Sequence, residues 1–283
     1  MKFTIHQKDK ITKFIAIMKH MKQLVTDVNI GLCELGLYIQ GMDASHVGLF
    51  ELKLEKAWFD DWKGSEKFHY DIGINCEILS RIMSCYSAGQ YVEFSYMENS
   101  TENLIIKFEG MGHDKMFEMR LMDIDVELME IPDVEYDADI TMSSKEFNNL
   151  MAEGELFGES IDIELGTDDY IYINTCDMGG QPSGMRVRMK EEDIVEYAVT
   201  EDTVIKHKYS LKYCLLYSKF AKINKNVCIH LKDGVPLKMV YDMSHWMDNS
   251  NKKQFVGDDE DDEEMKKKNY LGFYLAPKVD DEE

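Results

Sequence analysis

Three carboxylates at alternate positions have the spacing in this sequence that best fits a metal-binding site: Asp123, Asp125 and Glu127. In an extended segment, alternate side chains point to the same side, so these three would share one face. Carboxylate oxygens are the ligands that hard divalent cations prefer in proteins. The spacing is therefore compatible with a divalent-metal site, and also with acids on a surface connector that are simply solvated.

The histidines, cysteines and glycines of the chain form none of the sequence motifs that are typical of catalytic or phosphate-binding sites. The eight histidines form no HExxH motif and no pair four residues apart, and the six cysteines form no CxxC motif. The chain also contains neither a P-loop nor a GxGxxG sequence, both of which bind phosphate through a glycine-rich turn. We therefore predict no enzymatic activity, no resident metal and no cofactor.

The carboxylates belong to a longer segment, 117–136, with the sequence FEMRLMDIDVELMEIPDVEY. It begins with the alternation of apolar and charged residues that is typical of a half-buried strand. From Asp123 onward, acids are interleaved with aliphatic residues without helical periodicity, and Pro132 favours an extended backbone before it. The pattern predicts an extended connector between two halves of the chain.

The two halves have similar patterns of elements. Helical periodicity with one apolar face predicts four helices, at about 10–21, 74–85, 144–153 and 209–220, and alternating segments between them predict strands. The order strand, polar start, short helix, strand, glycine-containing turn, strand occurs near both 1 and 138, which indicates an internal duplication. We predict an α+β protein with a first domain at 1–120, a connector at 121–136 and a second domain at 137–283.

Charge is distributed unevenly along the chain. The net charge is −22, yet 1–25 carries six lysines and one acid, and 203–232 carries seven lysines and no acid. These two windows carry +12, so the remainder carries −34. An acidic protein that concentrates lysine in two places has a separated electrostatic field, which is compatible with a nucleic-acid partner despite the net charge.

A second charged segment is an acidic block at 258–264, DDEDDEE, inside an insert at about 249–269. Like charges in a row repel each other and stay solvated, so the insert is predicted to be a disordered loop. No apolar run approaches the ~18 residues of a membrane span. The first residues, MKFTIHQKDK, contain no apolar signal core, which argues against secretion.

Three segments of the chain carry a family resemblance: LMDIDVELMEIPDVEY at 121–136, YIQGMDASHVGLFEL at 38–52 and FYLAPKVDDEE at 273–283. Together they resemble the proliferating cell nuclear antigen (PCNA) family of DNA sliding clamps. The resemblance implies two similar DNA-clamp domains per chain, with helices lining the inside and antiparallel sheets outside. It further implies a homotrimeric ring that encircles duplex DNA without sequence specificity and tethers DNA polymerase and other replication or repair proteins as a processivity factor.

On this resemblance, basic residues of the helices would face DNA, and a groove beside the connector would bind partner peptides. The DNA-facing residues would be Lys10, Lys13, Lys19, His20, Arg81, Lys212, Lys219 and Lys222. The groove would take peptides of the type Gln-x-x-aliphatic-x-x-aromatic-aromatic. Its residues would be Met42, His46, Val47, Leu49, Met129, Ile131, Pro132, Pro236, Tyr274, Ala276, Pro277 and Val279.

Contact between subunits would join two different strand edges, one from each domain. The residues implied are Lys115, Met116, Phe117, Met119, Leu121, Met185, Val187 and Met189. Two different edges form a heterologous contact, which closes into a ring when the rotation fits. The resemblance also implies a clamp loader as partner and a nuclear location, or a viral replication site in the cytoplasm if the chain is virus-encoded.

The third helix departs from the family pattern, because Asn148, Asn149 and Ala152 stand where basic residues are usual and Lys145 is its one basic residue. Two alternatives to a homotrimeric clamp therefore remain. One is a clamp paralog in a heteromeric or checkpoint-type ring. The other is an acidic protein-binding scaffold that does not bind DNA.

Overall fold

The computed structural model describes residues 1–64, 69–96, 102–166, 170–175, 184–201, 203–244 and 269–278. The predicted acidic insert lies outside the described residues except for Asn269. Among the helices that are described, none is both long and apolar enough to cross a bilayer.

Both halves of the chain contain the same order of elements within the described residues: strand, helix, five strands, helix, three strands. The first half comprises β1 (Lys2–Ile5), α1 (Lys8–His20), β2 (Asp27–Leu32), β3 (Gly36–Met42), β4 (Gly48–Glu55), β5 (Asp61–Lys63), β6 (His69–Asn75), α2 (Cys76–Ser84), β7 (Gln90–Tyr96), β8 (Asn103–Gly110) and β9 (Lys115–Arg120). The second half comprises β10 (Ala138–Ser143), α3 (Ser144–Gly154), β11 (Ser160–Leu165), β12 (Tyr170–Thr175), β13 (Arg186–Lys190), β14 (Glu196–Val199), β15 (Ile205–Ser210), α4 (Leu211–Ser218), β16 (Asn226–Leu231), β17 (Leu237–Asp242) and β18 (Tyr270–Leu275). Short 3₁₀ helices occupy Met21–Gln23, Lys56–Trp58, Glu191–Asp193 and Lys219–Lys222.

Local sequence accounts for where two of the described helices, α2 and α3, begin. The side chain of Asn75 accepts a hydrogen bond from the backbone N–H of Ile78 at 3.0 Å and caps α2. Ser143 caps α3 in the same way through the N–H of Glu146. Such caps satisfy one of the free backbone donors in a helix's first turn. Helices α1 and α3 are held mainly by an apolar face buried against the sheets.

The helices pack together as one layer. Helix α1 packs against α2, α3 packs against α4, and the 3₁₀ helix Lys219–Lys222 contacts both α1 and α3. At this junction the ring of His20 lies 5.7 Å from that of Phe220. One face of the molecule therefore presents helical side chains from both halves.

Three antiparallel sheets form the rest of the fold. Their strand orders are β5-β1-β7-β8-β9, β14-β10-β16-β17-β18-β4-β3-β2-β6 and β13-β12-β11-β15. The nine-stranded sheet combines both halves, because β18 pairs with β4 from Tyr270 opposite Lys53 to Leu275 opposite Gly48. Behind this junction, the buried ring of Phe273 stacks on Tyr217 with centroids 4.4 Å apart. The predicted α+β class with two similar domains is confirmed.

Candidate functional site

Helix α1 exposes a basic face at the helix layer. Lys13, Lys19 and His20 are half-buried on its outer side, and Lys13 and His20 are separated by two helical turns. The Lys13 ammonium pairs with Asp9 at 2.9 Å, one turn earlier. His20 makes a 2.7 Å hydrogen bond through Nδ1 to the carbonyl of Ala16. Part of the positive charge of this face is therefore neutralised within the helix.

Lys10 is a correction to the sequence prediction. Its side chain does not face solvent with Lys13 but is buried, with 7% of its surface exposed. The ammonium donates a 2.6 Å hydrogen bond to the carbonyl of Trp58 and lies 5.5 Å from the indole ring. A buried ammonium persists when it is hydrogen-bonded and faces an aromatic ring. The prediction that Lys10 faces DNA is wrong.

Helix α2 contributes Arg81, which is exposed and pairs with Glu77 at 3.2 Å. Glu77 also pairs with the exposed Lys22 at 3.0 Å. The hydrogen bond from Lys22, with a smaller contribution from Arg81, lowers the pKa of Glu77 below its ordinary value. One carboxylate therefore links the 3₁₀ helix Met21–Gln23, which follows α1, to α2 and offsets part of their charge.

Helix α4 and the 3₁₀ helix Lys219–Lys222 that follows it carry the least compensated positive charge. Lys212, Lys219 and Lys222 are exposed, and within the described part of the chain none of them forms an ion pair. The Lys212 ammonium lies 5.8 Å from the ring of Tyr213. The equivalent surface of α3 exposes Lys145 beside Glu146 and Glu153, so its basic character is weak, as the sequence predicted.

A groove of about 200 Å³ lies beside the connector. Ten of the twelve residues predicted for the peptide groove line it: Met42, His46, Val47, Leu49, Met129, Ile131, Pro132, Pro236, Tyr274 and Ala276. Most of these side chains are apolar, and Met129 is half exposed. Partly exposed apolar side chains around a concave surface are typical of a site that buries a ligand or a peptide.

Two predicted groove residues are not among its lining. Pro277 lies just past β18 outside the groove, and Val279 lies outside the described residues. Sequence reasoning missed five residues that the groove does contain: Gly48, Glu130, Val134, Tyr136 and Val235. Val134 and Tyr136 lie within the segment quoted for the family resemblance, three to seven residues after Met129 and Ile131, so proximity along the extended connector was an available signal for them.

Three hydrogen-bonded anchors hold the connector against the first half. The N–H of Met122 donates to the carbonyl of Gly73 at 2.9 Å, and the side-chain amide of Asn29 donates to the carbonyl of Ile124 at 3.0 Å. Gln40 then exchanges two hydrogen bonds with the backbone of Met129, at 2.8 and 3.0 Å. A Cβ at Gly73 would meet the Met122 carbonyl oxygen at 2.2 Å, so this close approach requires glycine.

A buried carboxylate joins the two walls of the groove. Glu51 on β4 is 5% exposed, and its Oε1 accepts hydrogen bonds from the hydroxyls of Tyr270 at 2.8 Å and Tyr274 at 2.7 Å. Its Oε2 accepts from Tyr38 at 3.0 Å, and Tyr38 in turn accepts from Gln40. Burial, followed by the charge of Glu51, raises the pKa of Tyr270 and Tyr274, so these phenols stay protonated as donors.

Beside the groove, Asp43 fixes the turn between β3 and β4. Its carboxylate accepts hydrogen bonds from the N–H groups of Ser45, Val47 and Gly48 at 2.6–2.9 Å. It also accepts one from the hydroxyl of Tyr213 in the other half, at 2.6 Å. This turn holds His46 at φ 57°, in the left-handed region. Burial alone would raise the pKa of the Asp43 carboxyl, but these hydrogen bonds lower it to about 2.

We expect Asp43→Asn to lower the free energy of unfolding by about 1 kcal/mol at pH 7, a value discounted because solvent screens a partly exposed group. The folded pKa of about 2 lies below the ordinary 3.8. Between about pH 2 and pH 4 the unfolded chain therefore binds more protons than the folded chain does. The stabilisation is complete above about pH 4 and is lost as the pH falls through 2. Urea unfolding of both proteins across this range should show their difference shrink, whereas Asp123→Asn should show no such trend. A pH-independent difference would contradict the assignment.

The predicted subunit-contact residues fall on two free sheet edges. Strand β9 ends the five-stranded sheet, and β13 ends the four-stranded sheet. Phe117, Leu121, Met185 and Val187 are half-buried and Met116 is exposed. Met119 and Met189 are instead buried in the core of their own chain. Their side chains are therefore removed from the predicted contact, to which they can contribute only backbone.

The carboxylates Asp123, Asp125 and Glu127 are exposed along the connector. Across the described ranges, no three histidine, cysteine, aspartate or glutamate side chains lie close enough together to hold a metal ion. The structure therefore offers no support for the metal-site interpretation of their spacing.

Comparison with known proteins gives the same family across nearly the whole chain. The family models described as "Proliferating cell nuclear antigen, N-terminal domain" and "Proliferating cell nuclear antigen, C-terminal domain" match residues 7–129 and 130–251. The chain is 27% identical over 267 residues to proliferating cell nuclear antigen 1 of Plasmodium falciparum, covering 93% of this chain and 92% of that protein. It is 26% identical to proliferating cell nuclear antigen of Caenorhabditis elegans, with 94% of each chain covered. The protein of that name from Chaetomium thermophilum is 27% identical, with 94% of this chain and 95% of the other covered.

Sequence identity is low, but the two family matches together run through both halves of the chain and meet within the connector. The groove and the hydrogen bonds that anchor the connector lie at this same place, and the two similar domains lie on either side of it. The chain belongs to the proliferating cell nuclear antigen family of DNA sliding clamps.

Proposed function

We propose that three copies of this chain close head-to-tail into a homotrimeric ring that encircles double-stranded DNA. In this role the protein holds DNA polymerase and other replication and repair proteins on the template as a processivity factor, and a clamp loader opens the ring. The observation that supports the proposal most directly is the helix layer, where basic residues from both halves share one face of an otherwise acidic molecule.

The residues proposed to face DNA exclude Lys10. They are Lys13, Lys19, His20, Arg81, Lys212, Lys219 and Lys222. Lysine ammonium groups on long stems make phosphate contacts without reading sequence. A ring retains DNA by topology, so weak contacts suffice and leave it free to slide. The acidic remainder of the surface disfavours DNA elsewhere.

Retention on DNA of defined topology tests encirclement. The protein is threaded over a bead-bound linear duplex through its free end, which is then blocked with a bulky protein. We expect the clamp to survive a high-salt wash on the blocked duplex, to be released when a restriction enzyme cuts it, and to be lost from unblocked linear DNA. Nicked circular DNA should retain it in the same way once a clamp loader has opened the ring and placed it there. Equal retention on blocked and open duplexes would contradict encirclement.

We further propose that the groove beside the connector binds partner peptides of the type Gln-x-x-aliphatic-x-x-aromatic-aromatic. Its apolar lining fits the aliphatic and aromatic side chains of such a peptide. The hydrogen bonds of Gln40 and Glu51 support this role, because they fix the two walls before a peptide arrives.

Ile131→Ala is expected to weaken binding of a fluorescent peptide of this type about tenfold, because it removes an apolar contact from the groove. Leu128→Ala is the matched control, since Leu128 is a partly exposed aliphatic residue of the same connector that does not line the groove. Fluorescence polarisation measures both affinities. Equal losses for the two variants would place the peptide elsewhere on the connector.

The remaining functional expectations follow from family membership. We infer a non-enzymatic protein without metal or cofactor, a nuclear location (or a cytoplasmic replication site if the chain is viral), and domains at 1–120 and 137–283 joined by 121–136. The weakly basic α3 favours one alternative, a paralog that needs a different subunit to close its ring. Gel filtration with light scattering separates the two, because a pure chain that stays monomeric would indicate the paralog.

A further inference from the structure

The described methionines differ widely in their access to solvent. Nine of them are buried, with at most 7% of their surface exposed. Four are exposed: Met111 at 77%, Met116 at 60%, Met129 at 50% and Met122 at 42%. A peroxide dissolved in water reaches an exposed thioether far more readily than a buried one, so these four are the described methionines most open to oxidation.

Of these four, Met129 is the one that lines the groove beside the connector. Met111 lies in the turn between β8 and β9, Met116 lies on β9, and Met122 lies at the start of the connector. Met42 also lines the groove but is half-buried. Oxidation at Met129 therefore changes the groove surface, whereas oxidation at the other three exposed methionines leaves its lining unchanged.

The side chain of Gln40, which is 6% exposed, holds Met129 at this position. The N–H of Met129 donates to Oε1 of Gln40 at 2.8 Å, and Nε2 of Gln40 donates to the Met129 carbonyl at 3.0 Å. The same Nε2 donates to the hydroxyl of Tyr38, which is bonded to Glu51. A change at the sulfur of Met129 therefore acts on the groove, because the connector can move this residue away only by breaking both bonds.

Oxidation reverses the polarity of this part of the groove. The thioether of methionine is apolar and repacks easily against a ligand, whereas its sulfoxide is polar and chiral. When aliphatic and aromatic peptide side chains cover the sulfoxide, its oxygen loses bound water, which opposes binding. The neighbouring side chains of Leu49, Ile131 and Pro236 contain no hydrogen-bond donor, and the hydroxyl of Tyr274 already donates to Glu51.

We propose that Met129 is a modification site, at which oxidation by a peroxide weakens the binding of partner peptides and reduction restores it. This inference rests on the proposed peptide-binding role of the groove. In the oxidation, a lone pair of the sulfur forms a bond to one peroxide oxygen and the O–O bond breaks. The proton of the attacked oxygen ends on the departing hydroxide, which leaves as water. The sulfur loses two electrons and the peroxide gains them.

The reverse step needs a thiol reductant. Two thiols supply two electrons as they form a disulfide, and the sulfoxide oxygen leaves as water. Attack on either face of the sulfur gives both sulfoxide epimers, so full recovery requires both methionine sulfoxide reductases, each of which acts on one epimer. Reversibility distinguishes this modification from permanent oxidative damage.

Peptide affinity before and after oxidation tests the proposal in the full chain. The protein is treated with hydrogen peroxide, which catalase then removes, and mass spectrometry measures the sulfoxide at Met129. Fluorescence polarisation gives the Kd of a fluorescent groove-type peptide that contains neither methionine nor cysteine. We expect full oxidation to raise the Kd at least about tenfold, because a polar group is buried without a partner. Treatment with both reductases should return the Kd to within about twofold of its starting value.

Each variant is compared with its own Kd before peroxide. Met129→Leu lacks the sulfur and should show no rise, whereas Met111→Leu, which removes a more exposed thioether outside the groove, should show the full rise. Met42→Leu removes the other thioether of the groove and should also show the rise. Met129→Gln places a polar group there without any oxidant and should bind about tenfold more weakly than Met129→Leu. Circular dichroism verifies that every variant is folded.

Dithiothreitol separates methionine from cysteine, because it reduces oxidised thiols, such as that of the exposed Cys85, and leaves methionine sulfoxide unchanged. A rise in Kd that dithiothreitol abolishes, or that persists in Met129→Leu, would overturn the proposal. So would a Met129 that stays reduced at a dose that oxidises Met111, or oxidised wild type and Met129→Gln that both bind normally. An untreated wild type that does not bind the peptide overturns the proposed role of the groove itself.

Discussion

Glu51→Ala is expected to lower the free energy of unfolding by about 3 kcal/mol, because it leaves the partly buried hydroxyls of Tyr38 and Tyr270 and the buried hydroxyl of Tyr274 without their shared acceptor. For a chain of this size the melting temperature should fall by roughly 6–12 °C. Chemical unfolding at a fixed protein concentration measures the change, since dissociation of an oligomer would otherwise add to it. The same variant should weaken peptide binding, because Tyr274 lines the groove and Tyr38 supports Gln40.

Glu51→Gln is the matched control for this prediction. The amide keeps an oxygen that can accept the hydrogen bonds of Tyr270 and Tyr274, so we expect a loss of only about 1 kcal/mol. Equal losses for alanine and glutamine would mean that the charge of Glu51, and not its ability to accept hydrogen bonds, provides the stabilisation. No loss in either variant would contradict the network as described.

Reversal of two lysines, Lys13→Glu with Lys219→Glu, is expected to weaken the affinity of the protein for open linear duplex DNA at least about tenfold, whereas clamps already threaded on end-blocked duplex should stay retained by topology. Each subunit loses two phosphate-facing cations, and a trimeric ring therefore loses six. The slope of log affinity against log salt concentration should become shallower by roughly 0.9 for each phosphate that the protein no longer neutralises. Polymerase stimulation on primed circular DNA should fall in parallel.

Lys206→Glu serves as the control for charge itself. Lys206 lies on strand β15 and not on a helix, and it pairs with Glu164 of the neighbouring strand at 3.6 Å. The single reversal should leave the affinity for open duplex and the salt slope unchanged. An unchanged slope in the double reversal would favour the acidic scaffold that does not contact DNA.

The four helices and the duplication could be predicted from sequence because both are local patterns. The predicted helix at 10–21 corresponds to α1 at Lys8–His20, and its apolar residues Ile11, Phe14 and Met18 are buried. Lys10 was misplaced although a signal existed. It precedes Phe14 by four residues, Ile17 by seven and Met21 by eleven, which places it at the N-terminal end of a buried stripe. Lys10 was predicted to face outward because lysine side chains usually face solvent, although its spacing from these apolar residues indicates a buried position.

The hydrogen-bond network behind the groove could not be predicted in the same way. Alternation along β4 assigns Glu51 to the polar side of the strand, opposite to Phe50 and Leu52. That side is buried because β18, more than two hundred residues later in the chain, brings Tyr270 and Tyr274 over it. Contacts at this separation depend on strand order, which local patterns do not specify. The groove residues came instead from a resemblance of short segments.

The pairing of β18 with β4 has a mechanical consequence. Six pairs of opposed residues on β18 and β4 join the two halves through a continuous sheet. The hydrogen bond from Tyr213 to Asp43 adds a second link between the halves. The angle between the halves is thus set by the twist of that sheet, which resists bending between them. In the ring proposed above, we therefore expect opening for a DNA duplex to occur at a junction between neighbouring copies and not within a copy.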